Sequence, residues 1–388
     1  MDHQILKALS AYLGEYTDQA SRQALLDFTN ARPNLEPVAP LIPTEEYTTR
    51  LELIEEIRRD QRRGRRDFEI TRLQFCFLII TSPSKLQVLV RLGRECSIFV
   101  VEMQLNSFCA VIDYYLGRPE VSQDASDRND TQRKACLTLD DNACLVTGKP
   151  HPNVCQILPF SLCKKVIEDD YFGSVELVIE HCLGCPLNDD TRAALRCLTD
   201  KPRSYDRAWN MICLSPTLQD WWGRGYFAFK FLEATPNEDG MSTAKLQFVW
   251  MPRIEHGQSR ALEPISLDAQ RDDRTRISAT LTHYYGERSQ SCLAGPDCPT
   301  CACTEKVNAH NVFTHRPAKT GSVFKVTRLT GDIAKFQRMI EIQWNIICAA
   351  ALSGRAQDIE AEEAQRASQD AAKTLELIEK VGSVKARP

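Results

Sequence analysis

The chain of 388 residues has no apolar run long enough to span a membrane. Its most apolar stretch, LQFCFLIITS at 73–82, falls well short of the ~20 residues that a spanning helix needs. It also lacks a strong charge of either sign. A formal net charge of −4 provides no overall positive field to draw in nucleic acid. No GxxxxGK[ST], GxGxxG or GxSxG pattern occurs, so neither a phosphate-cradling loop nor a nucleophile elbow is supported. No repeat of fixed period is present, which excludes a solenoid. The opening MDHQILKALSAYLGEYTD carries charge early and lacks the apolar centre of a secretory signal, so the expected location is cytoplasmic.

The composition is that of an ordinary globular protein, 43% hydrophobic and 26% charged, neither disordered nor membrane-embedded. The length allows two or three units with a real core. Sixteen cysteines sit mostly singly in apolar segments, as at Cys76, Cys96, Cys109, Cys213 and Cys348, and read as reduced thiols.

Helical spacing runs through residues 1–118, including a charged helix opened by Thr44. The polar, turn-rich segment 119–135 reads as a linker. Residues 136–356 mix short strands and helices around a polar, cysteine-containing insertion near 257–319. SVFKVTRL (322–329) alternates like a strand and leads into a helix, IAKFQRMIEIQWNIICAAALSG, that Gly354 ends. Residues 357–388 read as a solvated helix or tail.

Three segments carry the chemical signal. In CLVTGKPHPNVCQILPFS (144–161), Cys144–Thr147 suits a strand, GKPHPN a turn, and VCQILPF a returning strand. SYDRAWNMICLSPTLQ holds Asn210, and LQDWWGRGYFAFKFLE holds Gln219, Trp221 and Trp222. Together these resemble the His-Asn-His (HNH) endonuclease domain, in the variety common in filamentous fungi. The resemblance rests on Cys144, Thr147, Gly148, Pro159, Phe160, Asp206, Asn210, Leu214, Leu218, Trp221, Trp222 and Gly223. It covers roughly 136–256 and 320–356. It implies an α+β fold: a helical N-terminal region and an HNH-like core of the ββα-metal type, closed by a C-terminal helix.

The resemblance also implies roles. In that family the first histidine takes a proton from water, the asparagine holds the hairpin loop, and the last histidine binds a divalent cation. Here Gln156 stands at the first position and Gln219 at the last, and only Asn210 remains. An amide takes no proton near neutral pH and is a weaker ligand than imidazole. The pair reads as lost phosphodiester hydrolysis. The glutamines are then either polar remnants that fill an abandoned site or hydrogen-bond donors to a new substrate.

Other features have two readings each. Trp221 and Trp222 are core residues or the wall of a ligand pocket. HCLGC (181–185) and CPTCAC (298–303), with Cys292 and His310 nearby, offer raw material for a structural zinc, although the expectation is no cofactor. The arginines of 58–66 alternate with acids and read as a salt-bridged helix surface rather than a phosphate-binding face.

Three functions follow. The first is a metal-free enzyme acting on a small hydrophobic metabolite, through a ring-forming or isomerising step of fungal secondary metabolism. It would use Gln156, Asn210 and Gln219 with Trp221 or Trp222 as a wall. The second is a pseudo-nuclease that binds nucleic acid or protein without chemistry. The third is an active HNH nuclease with displaced catalytic groups.

Overall fold

The computed structural model describes residues 2–15, 18–30, 34–95, 98–117, 129–159, 206–254, 261–287 and 298–385, with Arg192, Ala193, Leu195 and Leu198 between. Among them six helices come first: α1 (Asp2–Glu15), α2 (Gln19–Asn30), α3 (Tyr47–Gly64), α4 (Arg72–Ile80), α5 (Pro83–Glu95) and α6 (Ile98–Leu116). The apolar stretch noted above forms α4. Thr71 and Gln74 start it with a reciprocal capping box, each side chain bonded to the other's backbone N–H. Leu73 to Ile79 are all buried, so this helix is the centre of its layer and not a membrane element. No helix among the described residues is long and apolar enough to cross a membrane.

After α7 (Asp130–Leu139) come β1 (Asn153–Gln156) and β2 (Met211–Leu214), which pair antiparallel with Gln156 opposite Met211. Next are α8 (Pro216–Gly223), β3 (Phe227–Pro236) and β4 (Met241–Trp250), then the short helices α9 (Ile277–Thr280) and α10 (Pro299–Glu305). β5 (Val323–Leu329) completes a second antiparallel sheet of order β3-β4-β5. The chain closes with α11 (Ile333–Ser353) and α12 (Arg355–Lys385). Gly354, in the left-handed region at φ 84°, separates these last two helices. Small antiparallel sheets among many helices make the fold α+β, as expected.

One hydrophobic core joins α3–α6, both sheets and α11. Its aromatic centre lies on β3 and β4, where Phe227 stacks on Phe248 at 4.7 Å and Phe248 meets Trp250 edge-on at 4.8 Å. Helices α3–α6 of the N-terminal region are part of this core, and Tyr115 donates its hydroxyl to the Ile157 carbonyl at 2.9 Å.

Several expectations change. Cys144–Thr147 is not a strand. Gly148, at φ 69°, turns the chain at once, and β1 pairs with β2, far along the chain, instead. Residues 130–135 are not linker but the first half of α7, where the Gln132 side chain accepts the Ala208 N–H at 3.0 Å. The described part of the polar insertion is not loose. Leu73 and Arg72 donate backbone N–H groups to Ala261 and Glu263, and Leu267, Ile277 and Tyr285 are buried. The arginine surface is salt-bridged as expected. Arg58 and Arg62 pair with Glu69, Arg63 with Asp60, and Arg65 with Asp67 and Glu102. Burial pushes the Cys76 thiol up to about 12 and those of Cys155 and Cys348 upward too, which leaves them inert.

A buried ion pair ties the two sheets together. Arg328 on β5 meets Asp140, at the end of α7, at 2.6 Å, with both side chains almost fully buried. The same guanidinium donates to the Met211 carbonyl on β2 at 2.7 Å and lies over the Phe336 ring. Removing one partner leaves an uncompensated buried charge. Arg328→Ala is therefore expected to lose about 3–5 kcal/mol of stability in urea unfolding. A loss below about 1 kcal/mol would show the pair to be dispensable.

Candidate functional site

The three motif positions lie along β1 and its neighbours. Asn210 ends a short 3-10 turn just before β2 and is fully buried. Its side chain accepts the Leu158 N–H at 3.0 Å and donates to the Leu158 carbonyl at 3.1 Å. Its own carbonyl accepts the Ile157 N–H at 2.8 Å. Asn210 thus pins the chain as it leaves β1. Gln156, the last residue of β1, donates its amide to Asp206 Oδ1 at 2.7 Å. The other Asp206 oxygen accepts the Asn129 N–H at 2.8 Å, at the start of α7.

Gln219 is elsewhere. It is exposed on α8, and its carbonyl oxygen accepts the amide of Asn153 at 2.8 Å. Asn153 opens β1 and Gln156 closes it, so the two glutamines engage opposite ends of a strand about 10 Å long. Ser215 caps α8 through the Leu218 N–H, and Pro216 occupies its first turn. Trp222 on α8 is buried, edge-on to Phe229 at 6.0 Å. Trp221 is half-buried.

Trp221 instead lines a cleft of about 430 Å3, with Leu218, Thr217, Ser215, Thr147 and Lys149 on one side and residues 308–312 and His315 on the other. Two turns of matching construction form its walls. In one, Cys144 N–H bonds to Lys149 C=O and Gly148 N–H to Cys144 C=O, both at 2.8 Å. In the other, Asn311 N–H bonds to Arg316 C=O at 2.9 Å and His315 N–H to Asn311 C=O at 2.8 Å. Gly148 and His315 hold the same left-handed position, at φ 69° and 53°. The side chain of Cys144 or Asn311 accepts the N–H of Thr147 or Thr314 in turn. The Val312 N–H joins the turns by donating to Thr147 C=O at 2.8 Å. A Cβ at position 148 would sit 2.8 Å from the exposed Phe313 ring, so a side chain there would push that ring aside.

Residues 144–230 match the family model of HNH endonucleases. The HNH match begins at the first of these turns and runs through both glutamines, Asn210 and both tryptophans to the start of β3. No curated protein and no solved structure matches the chain.

An HNH nuclease uses a divalent cation, and the donors here do not fit one. The Gln156 amide donates to Asp206, the Gln219 oxygen is bonded to Asn153, and both Asp206 oxygens accept N–H groups. Among the described residues no group of three His, Cys, Asp or Glu side chains gathers at these positions. Of the cleft walls, Lys149, Thr217 and His315 are not singled out by the sequence, and His310 enters only as a zinc candidate. One signal for them was present: C-x-x-T-G-K-P at 144–150 has a counterpart, N-x-x-T-H-R-P, at 311–317. Of the zinc candidates, His310 lines the cleft, whereas HCLGC and Cys292 fall outside the described residues.

The bonds separate Asn210 from Gln219. Asn210→Ala strands a buried N–H and a buried carbonyl, at about 1–3 kcal/mol each, and is expected to lose about 2–6 kcal/mol. Gln219→Ala removes one exposed contact and is expected to stay within about 0.5 kcal/mol of the parent. Urea unfolding of both variants checks this. Equal losses would overturn the division of roles.

Proposed function

We propose that this is an HNH-fold protein that has lost phosphodiester hydrolysis and acts on a small metabolite in the Trp221 cleft, by an isomerising or ring-forming step. The observation that carries the reading is a separation. The amides at the motif positions are engaged in internal hydrogen bonds, while an open cleft lies on another face of α8, with Trp221 in its wall.

The lining suits such a ligand. Trp221, Leu218, Ala309 and Val312 offer an apolar floor for a hydrophobic body. The lining holds no carboxylate, and Lys149 offers an ammonium for a carbonyl or carboxylate oxygen. His310 and His315 supply imidazoles, the side chain best suited to taking a proton from one substrate position and returning it to another near neutral pH. Such a relocation has no net gain or loss and needs no cofactor. Holding the ligand in a reactive shape adds to the rate. Gln156, Asn210 and Gln219 position β1 and α8 beneath the cleft and do not touch substrate.

The paired arginines and the net charge of −4 favour this reading over nucleic-acid binding. Two measurements test it. Supercoiled plasmid incubated with the protein and magnesium, manganese or nickel is expected to stay uncut; cutting that Asn210→Ala abolishes would overturn the proposal. A metabolite extract of the source organism is expected to yield a product of unchanged mass and altered retention. Trp221→Ala and Lys149→Ala should reduce its formation at least about tenfold, the scale of lost positioning or acid–base help, while Gln219→Ala retains it. The opposite pattern would return the site to the motif residues.

A further inference from the structure

We propose that His283, Cys298 and Cys301 bind a structural zinc ion that fastens the far wall of the cleft to the three-stranded sheet. All three side chains are buried, at 2%, 4% and 6% exposure, and their ligand atoms lie within 4.8 Å of one another. His283 Nε2 is 3.6 Å from Cys298 Sγ. Bonds of about 2.0 Å to nitrogen and 2.3 Å to sulfur at a tetrahedral angle separate such atoms by about 3.5 Å. The His283–Cys298 pair is therefore already spaced for one ion, with Cys301 close by.

The imidazole is also set for it. Its other nitrogen, Nδ1, is 2.8 Å from the Thr282 hydroxyl, which fixes the ring and leaves Nε2 toward the cysteines. Two thiolates and one imidazole form a soft set that selects zinc over magnesium or calcium, and binding releases both thiol protons to solvent. A four-coordinate ion takes its remaining bond from a donor beyond this trio.

A second cluster shows what a non-site looks like. Cys136, Asp140 and Cys213 are just as close together. There, however, Asp140 is taken by the Arg328 guanidinium and by the Cys213 N–H, and a fixed buried cation stands where an ion would compete.

The position gives the ion its role. The run holding His283 lies along the end of β4, with Arg253 N–H bonded to His283 C=O at 2.9 Å and Tyr285 N–H to Met251 C=O at 3.1 Å. Cys298 and Cys301 stand at the start of α10, which opens the run that carries 308–315, the outer wall of the cleft. The ion joins these two runs. This assignment does not depend on the proposed reaction.

The test uses the full chain purified without chelator. Elemental analysis is expected to give about one zinc per chain, and X-ray absorption a shell with two sulfurs at about 2.3 Å and nitrogen at about 2.0 Å. Cobalt substitution should give the thiolate-to-metal bands of a tetrahedral site. Cys298→Ser and Cys301→Ser should each lower metal content at least about tenfold, the scale of losing a bound group, while the exposed Cys303→Ser retains it. Chelation should raise hydrogen exchange at Asn311, Val312 and Ala318. Should the serine variants fail to fold, the wild-type spectra decide. A parent protein that remains metal-free after zinc is added, a sulfur-free shell, or metal lost with Cys303→Ser would each overturn the site.

Discussion

The Arg328–Asp140 pair holds the protein's two sheets in one arrangement. Neither sheet is large, with two strands in one and three in the other. Two- and three-stranded sheets gain little stability alone and need an outside surface. Arg328 supplies a fixed joint: its guanidinium reaches from β5 to Asp140 at the end of α7 and to the Met211 carbonyl on β2. Asp140 in turn accepts the Cys213 N–H at 2.8 Å, so the charge pair holds β2 at both Met211 and Cys213. Hydrophobic burial would hold these layers together in several registers. A buried, directional pair penalises every register but one.

From that joint the cleft follows. β2 leads directly into α8, so fixing β2 against β5 also fixes Trp221 and Leu218. The opposite wall comes from the run that ends at β5, where Trp250 donates its indole N–H to the Ala318 carbonyl at 3.0 Å. The two matching turns then meet between Thr147 and Val312. Gly148 favours this contact, because its left-handed φ suits glycine and a Cβ there would displace the Phe313 ring.

Much of this was legible in the chain. The helix closed by Gly354 and the strand SVFKVTRL have plain periodicity, because each packs one face on the core. The hairpin was misread because CLVT has strand-like composition, while a single left-handed glycine decides the path. The cleft was missed for a different reason. Lys149, His310 and His315 lie about 160 residues apart in two turns, and spacing carries no information about which turns meet. The zinc reading looked for two CxxC pairs. The histidine that accompanies Cys298 and Cys301 comes from the strand-like run beside β4, where nothing local marks it as a partner.

At the motif positions the side chains hold the fold through hydrogen bonds to backbone and carboxylate. The Asn210 side chain bonds both the N–H and the carbonyl of Leu158, which gives this residue a folding role whatever the chemistry at β1. Gln156 faces Asp206, whose carboxyl group is fully buried. A glutamine amide satisfies that group with a donor and exchanges no proton. An imidazole in the same place would set a titrating ring against a buried acid, where its charge state would depend on its neighbour. The geometry that makes Gln156 a good structural partner is thus the geometry that removes it from proton transfer. His310 and His315, by contrast, line the cleft with Trp221, where their side chains border space in which a substrate can be held.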